Sequence, residues 1–336
     1  DRSPSRGLGD VYKRQVAALA AYLPVGIIVV LVRFVLHLLC AAIYVGGAIV
    51  WPTPDMDGLA TSLIWLAATT SCIRVQVRSQ RGQSTTAASF QLRRGRVLVS
   101  NHLTQFDALF LRLLCGCRIA VALRETYRSN GWLLRTLTNM AIRPIWVPAP
   151  AHTFGPCTGH AELEARRARA SVRMAMRQHV SQVEVIGASP EPLVIFPEGS
   201  ITNGGGLMRF ARGAFELDVP VQPVALRVFC PLPLAHDTVW SSLFQNYLRT
   251  LFQPWMHVEV TVLPVQNRTM NEDAIGFAHR TSKVMEKELR VPATTHTTAD
   301  KAQLLHRVKA KQGAGFTSAF NTCRWVGQAR GTNPQG

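Results

Sequence analysis

"RVLVSNHLTQFDALFLRLL", residues 96–114, decides how the chain is read. Arg96–Ser100 reads as a short buried strand and Phe106–Leu114 as a helix. Between them come Asn101 and His102, then Thr104 as an N-cap. Where strand gives way to helix, His102 and Asp107 carry ionisable groups. On one continuous helix, five residues turn through about 500°, which leaves two such side chains about 140° apart. The pair can meet only if His102 lies in the turn after the strand and Asp107 in the first helical turn. A carboxylate placed there holds the imidazole in one tautomer and raises its basicity. That is the base–orienter pair of acyl-transfer chemistry.

A second polar turn follows "LVIF" in "LVIFPEGSITNGGGLMRF", residues 193–210. Leu193–Phe196 is strand-like. Pro197 ends the ladder, and Gly199 lets the backbone turn or approach a ligand. Two polar turns after two buried strands mark the place where open α/β sheets bind ligands. The Gly204–Gly206 run fits neither a dinucleotide-binding fingerprint nor a P-loop. Arg209 and Arg212 nearby are candidate phosphate partners, or else solvated surface.

Working outward, strands and helices alternate. Arg118–Leu123, Arg143–Val147, Val221–Val228 and His257–Val265 read as strands, and Gly131–Met140 and Ala278–Leu289 as helices. That alternation predicts an α/β sandwich. Glu162–Ile186 reads as a long helix with an apolar stripe. Beside it runs a second stripe of Arg166, Arg169, Arg173 and Arg177, either a solvated face or a contact for anionic headgroups. From about residue 291 the chain turns polar and reads as a tail, 291–336.

The 336 residues, 47% hydrophobic, suffice for one large domain or two small ones. The net charge of +17 rests on 31 Arg against 6 Lys and favours an anionic partner. No block of six like charges appears and aromatics are not interleaved with basic residues, so nucleic acid is not expected. Seven cysteines without a CxxC pair read as free thiols, and no metal site is expected.

Residues 16–51 are the most apolar part. Val16–Val32 carries no charge, Arg33 interrupts, and Phe34–Trp51 continues with His37 as its polar break. Each run spans roughly 25–27 Å, close to a bilayer's hydrocarbon thickness. Pro24 and Gly46-Gly47 are places to bend, so a membrane hairpin is expected, or one spanning helix followed by an interfacial one. Residues 1–15 read as a disordered tail, and the first residue is not Met, as in a fragment. "PTPDMDG" (52–58) reads as a linker, and the main domain is expected over 59–290. Lys13 and Arg14 before the apolar region, with Arg74, Arg78 and Arg81 after it, put both flanks in the cytosol.

In order, "NHLTQFD" (101–107), "IFPEGS" (195–200) and "VPVQPVAL" (219–226) resemble the blocks of the glycerolipid (PlsC-type) acyltransferase superfamily. "FPEGSITNGGGLMRF" looks like its lysophosphatidylcholine acyltransferase and ancient ubiquitous protein branch. "VWSSLFQNYLRTLFQPW" (239–255) and "HTTADKAQLLHR" (296–307) look like the ancient ubiquitous protein family in particular. The resemblance implies a membrane-bound acyltransferase at the endoplasmic reticulum and lipid droplets, with its domain facing the cytosol. A fatty acyl group would pass from acyl-CoA, the co-substrate, to a lysophospholipid hydroxyl, with no metal or prosthetic group. It makes His102 the base and Asp107 its orienter, and gives Asn101, Glu198, Gly199 and Arg209 to substrate binding. The same branch implies a rival: a non-enzymatic lipid-droplet adaptor tied to ubiquitin-conjugating machinery and ER protein degradation. Two departures stand out. Family members usually have an arginine ending the block that here reads "PIWVPAP" (144–150), with Arg143 at its other end. Nothing after Gln312 resembles a ubiquitin-binding module.

Overall fold

The structure is a computed structural model that describes residues 4–50, 56–78, 84–85, 97–115, 119–124, 138, 142–147, 167, 170–181, 191–232, 234 and 241–312. Two helices, α1 (Pro4–Val50) and α2 (Met56–Thr70), precede strands β1 (Ile73–Arg78), β2 (Ser84–Thr85) and β3 (Val97–Ser100). Then come α3 (Asp107–Cys115), β4 (Ile119–Arg124), β5 (Ile142–Val147) and a helix at residues 170–181, here α4. The chain continues with β6 (Leu193–Ile195), a 3-10 turn at Arg212–Ala214, β7 (Val221–Phe229), α5 (Leu243–Phe252), β8 (Met256–Val262), α6 (Ala274–Leu289) and α7 (Thr298–Gln312).

The strands form one sheet in the order β2-β1-β8-β7-β3-β6-β4-β5. From β7 to β5 every pairing is parallel, while β7 meets β8 antiparallel. β3 and β6 are buried along their whole lengths. That is why they read as unbroken apolar runs: a parallel strand covered on both faces has no polar side to alternate with. One face packs Leu98, Val121, Val194 and Val258 against α2 and α3. The other packs Val97, Ala120, Leu193 and Ile195 with Met176 of α4 and Phe277 and Met285 of α6. The α/β sandwich is therefore as expected, with helices on both faces. Of the expected helix 162–186, residues 167 and 170–181 are described, all helical. Of the expected helix 131–140, only Thr138 is described, and it is helical.

The N-terminal region departs from the hairpin expected inside 16–51. α1 is one helix through Pro24 and through Gly46-Gly47. A single proline or glycine pair does not outweigh helix formation where the flanking residues are apolar and no polar turn follows. The reversal comes later. Gly47 faces Leu59 and Met56, while Arg33 and His37 reach Thr70, Ser71 and Ala67. α2 is thus antiparallel to α1. α1 also begins at Pro4 and takes in most of the stretch expected as a tail.

Arg33, read as a break in an apolar run, is 5% exposed. Its guanidinium donates to the carbonyls of Thr70 (3.1 Å), Leu251 (2.7 Å), Gln253 (2.5 Å) and Pro254 (3.1 Å). These lie at the carboxyl ends of α2 and α5, where a cation also offsets the helix dipoles. His37 bonds Tyr247 Oη (2.6 Å) and Ser71 Oγ (3.0 Å). So α1 is clamped to the domain on one side. On its other side Val25, Ile28, Leu31, Val32, Val35 and Ile43 are exposed. Leu19–Val50 is long and apolar enough to cross a membrane. At about 48 Å, however, it exceeds the ~30 Å hydrocarbon core if upright.

The segment expected as a polar tail is partly structured. After α6, Leu207 N–H donates to Pro292 (2.9 Å), Thr294 N–H to Leu207 (2.8 Å) and Arg209 N–H to His296 (2.9 Å). This clasp leads into α7. β1, α2, α5 and α7 are elements that the sequence reading did not place.

Candidate active site

β3 and β6 are parallel neighbours, so the turns at their carboxyl ends lie side by side. The first turn carries His102 and the second Glu198. Asp107 opens α3, as the spacing requires. Its Oδ2 accepts from His102 Nδ1 (2.8 Å), Leu103 N–H (2.6 Å) and Thr104 N–H (3.0 Å). Its Oδ1 accepts from the Thr104 hydroxyl (2.7 Å), and that hydroxyl in turn accepts from Phe106 N–H (3.0 Å). The carboxylate is wholly buried. Since Oδ2 only accepts, Nδ1 carries the imidazole proton and Nε2 is left with its lone pair. The ring lies against Phe196, with centroids 4.3 Å apart and planes 19° apart. Its side chain keeps 20% exposure, enough to meet a substrate.

The turns are bolted together by Glu198. Its Oε1 accepts His102 N–H and its Oε2 accepts Met208 N–H, each at 2.9 Å. Thr202 N–H donates to the His102 carbonyl at 2.7 Å. Burial pushes the Glu198 carboxyl up to about 7, against the pull of those two N–H groups; Asp107 adds to the rise and Lys301 opposes it. Gly199 has φ 65°, in the left-handed region that glycine adopts without strain.

The residues expected to bind substrate therefore divide. Gly199 lines the cavity described below. Glu198 is 2% exposed, with each oxygen accepting a backbone N–H, so it holds the turn that carries His102. The Asn101 amide is also spent: Nδ2 donates to the Leu226 carbonyl (3.0 Å) and Oδ1 accepts Leu226 N–H (2.8 Å), joining β3's end to β7. In both, the polar atoms are already paired within the protein, as buried polar groups usually are. Arg209 is exposed and lies close enough to Asp300 to lower its pKa, outside the cavity lining.

That cavity has a volume of about 380 Å³, within the common range for small-molecule sites. The site turns contribute His102, Phe196 and Gly199, and α1, α2 and α5 contribute Cys40, Ile64, Ala68 and Tyr247. Its walls are chiefly aliphatic and aromatic. It also crosses the carboxyl edge of the sheet to Met176, Gly213 and Ala214 on the other face.

Sequence reasoning missed Lys301. From α7, its Nζ donates to the Ile201 carbonyl (2.8 Å), in the loop after Glu198. The signal for it is faint: one of three lysines in a segment that reads as polar tail.

Residues 73–227 match the family model described as Acyltransferase. The chain is 30% identical over 216 residues to the lipid droplet-regulating VLDL assembly factor AUP1 of Xenopus tropicalis, covering 64% of this chain and 46% of that protein. It is 41% identical over 115 residues to lysophosphatidylcholine acyltransferase 2B of Rattus norvegicus, covering 32% of this chain and 22% of that one. The chain thus spans less than half the length of either relative. The crystal structure of the 1-acyl-sn-glycerophosphate (LPA) acyltransferase PlsC from Thermotoga maritima aligns with 78% of this chain and 96% of its own, at 14% identity and a TM-score of 0.44.

Proposed function

Since the chain carries an acyltransferase-family domain at residues 73–227, we propose that it moves a fatty acyl group from acyl-CoA to the hydroxyl of a lysophospholipid. The observation that carries this reading is the His102–Asp107 pair at 2.8 Å, opening on an apolar cavity. In this reading His102 Nε2 takes the proton of the acceptor hydroxyl as its oxygen attacks the thioester carbonyl. The imidazolium formed is balanced by Asp107, whose other three hydrogen bonds keep it from moving. The carbon–sulfur bond then breaks, and the proton passes to the departing thiolate. A base of this kind supplies about 10²–10⁴-fold, so holding the two substrates together must supply much of the rest.

The acyl chain has a natural place among Cys40, Ile64, Ala68 and Tyr247. The exposed side of α1 would lie in lipid, with the domain on the cytosolic face of the endoplasmic reticulum or a lipid droplet. A second reading has one observation in its favour, the relative named for regulating lipid droplets. There the domain would be a scaffold without turnover. Purified protein with labelled acyl-CoA and a panel of lysophospholipids tests the first reading: label should enter a diacyl product with at least one acceptor. No transfer to any acceptor by folded protein would leave the scaffold.

A further inference from the structure

We propose that a basin of arginines beside the cavity, formed by Arg173, Arg177, Arg212 and Arg268 around Glu216, binds the phosphate groups of the acyl donor's coenzyme A. This rests on the acyl-CoA reading above and adds the place where the donor's charge is held.

Position comes first. The cavity reaches the far face of the sheet at Met176 of α4 and at Ala211, Gly213 and Ala214 around the 3-10 turn. Arg173 lies one helical turn before Met176, and Arg177 directly follows it. Arg212 sits between Ala211 and Gly213. These three guanidinium groups therefore ride on the two elements that wall this part of the cavity, and Arg268 reaches the same depression from the loop after β8. Arg173, Arg177, Glu216, Arg268 and Ala274 line a depression of their own there. An acyl-CoA laid through the cavity would have its apolar chain toward α1 and α5 and its thioester near His102. Its charged portion would leave toward α4.

Charge comes second. The Glu216 carboxylate pairs with Arg173 (2.7 Å) and with Arg212 (2.9 Å), and its carbonyl accepts from Arg177 (2.8 Å). Arg268 pairs with Asp218 at 3.3 Å. Four guanidinium groups thus face two carboxylates, and the basin stays cationic. Glu216 acts as a peg that orients the arginines, while each guanidinium has five N–H donors in a fork suited to phosphate oxygens. Arg173 and Arg212 keep 39% and 63% side-chain exposure, so an incoming anion can reach them. Two arginines of the sequence's stripe, Arg173 and Arg177, thus belong to a donor-side anion site on the sheet face opposite α1, while Arg166 and Arg169 lie outside the described residues.

The test uses the full chain in detergent and measures CoA binding by calorimetry, which needs no turnover. The variant Arg177→Gln/Arg212→Gln leaves the Arg173–Glu216 pair in place. CoA affinity should fall ~10-fold, the size of two partly exposed charge-assisted contacts. In acyl transfer, KM for acyl-CoA should rise similarly, while kcat and KM for acyl-pantetheine, which lacks the phosphates, stay at wild-type values. If the double variant melts early, Arg177→Gln alone, which leaves both Glu216 carboxylate pairs intact, should weaken CoA several-fold. Wild-type CoA affinity in a folded variant would overturn the proposal. So would equal losses with both donors, or a rise only in the lysophospholipid KM, which would assign the basin to the acceptor's phosphate. A wild type that binds no CoA would instead sink the acyl-CoA reading itself, whereas CoA binding without turnover would leave the basin standing.

Discussion

Asp107→Asn separates the charge of the orienting carboxylate from its shape. Oδ2 takes three donors, from His102, Leu103 and Thr104, while Oδ1 faces only the Thr104 hydroxyl. The replacement amide therefore has one good orientation. Its oxygen takes the place of Oδ2, and its NH2 turns to Thr104 Oγ1, which can accept. No bond need be lost, but three lose their ionic character, at a cost of about 2–3 kcal/mol. For a domain of this size that lowers Tm by about 5–10 °C. The amide oxygen still accepts from Nδ1–H, so the His102 tautomer survives. What disappears is the counter-charge to the imidazolium. The expected fall in kcat is about 10²–10³-fold, smaller than the ~10⁴ of the serine-protease example in which the tautomer is inverted. Steady-state acyl transfer and thermal unfolding, measured on the same preparations, give both numbers. A folded variant within twofold of wild-type kcat would make Asp107 a helix-start device only. A 10⁴-fold loss with unchanged Tm would show that the tautomer argument is wrong.

Other outcomes follow from the same contacts. Glu198 is protonated more readily folded than unfolded, about 7 against 4.5. Its contribution is therefore full below about pH 4.5 and lost as pH rises through 7, by about 3 kcal/mol in all. Wild-type Tm should decline across that window, and Glu198→Gln should abolish this part of the slope. An identical slope in both proteins would contradict it. Arg33→Met leaves four carbonyls without their donor, and should cost about 3–5 kcal/mol and expose the α1–α2 pair to protease. A change below 1 kcal/mol would mean that the clamp is idle. Deleting 16–51 removes the Arg33 clamp together with His37 and Cys40 of the cavity wall, so the remainder should aggregate. A monodisperse folded domain from that deletion would show α1 to be a detachable anchor.

The His102–Asp107 pair could be read from the sequence because everything that sets it lies within a dozen residues: a buried strand, a capping threonine and a helix start. Glu198 was legible as part of a polar turn but its pairing was not, since its partners are the backbone N–H groups of His102, 96 positions away, and of Met208 further along its own loop. Arg33 was opaque for a similar reason. Its acceptors lie up to 221 positions away, and a charge inside an apolar run reads as an interruption until the helix ends it caps are seen. Two omissions had local signals. α5 opens with a capping box, Ser242 with Gln245, and β1 alternates Ile73, Val75 and Val77. The hairpin was misplaced because Pro24 and Gly46-Gly47 were given more weight than the helical continuity of the apolar run around them.

The central claim is that His102 is the base of an acyl transfer, and the most direct test compares wild type with His102→Ala. The imidazole is held by one hydrogen bond and one ring contact, whereas the backbone of residue 102 makes the bonds to Glu198 and Thr202. The variant should therefore stay folded, within about 1–2 kcal/mol of wild type. The measurement is kcat/KM for labelled acyl-CoA at a saturating lysophospholipid. The account predicts clear wild-type turnover and a loss of at least about 10³-fold in the folded variant. Equal rates in the two proteins would contradict it.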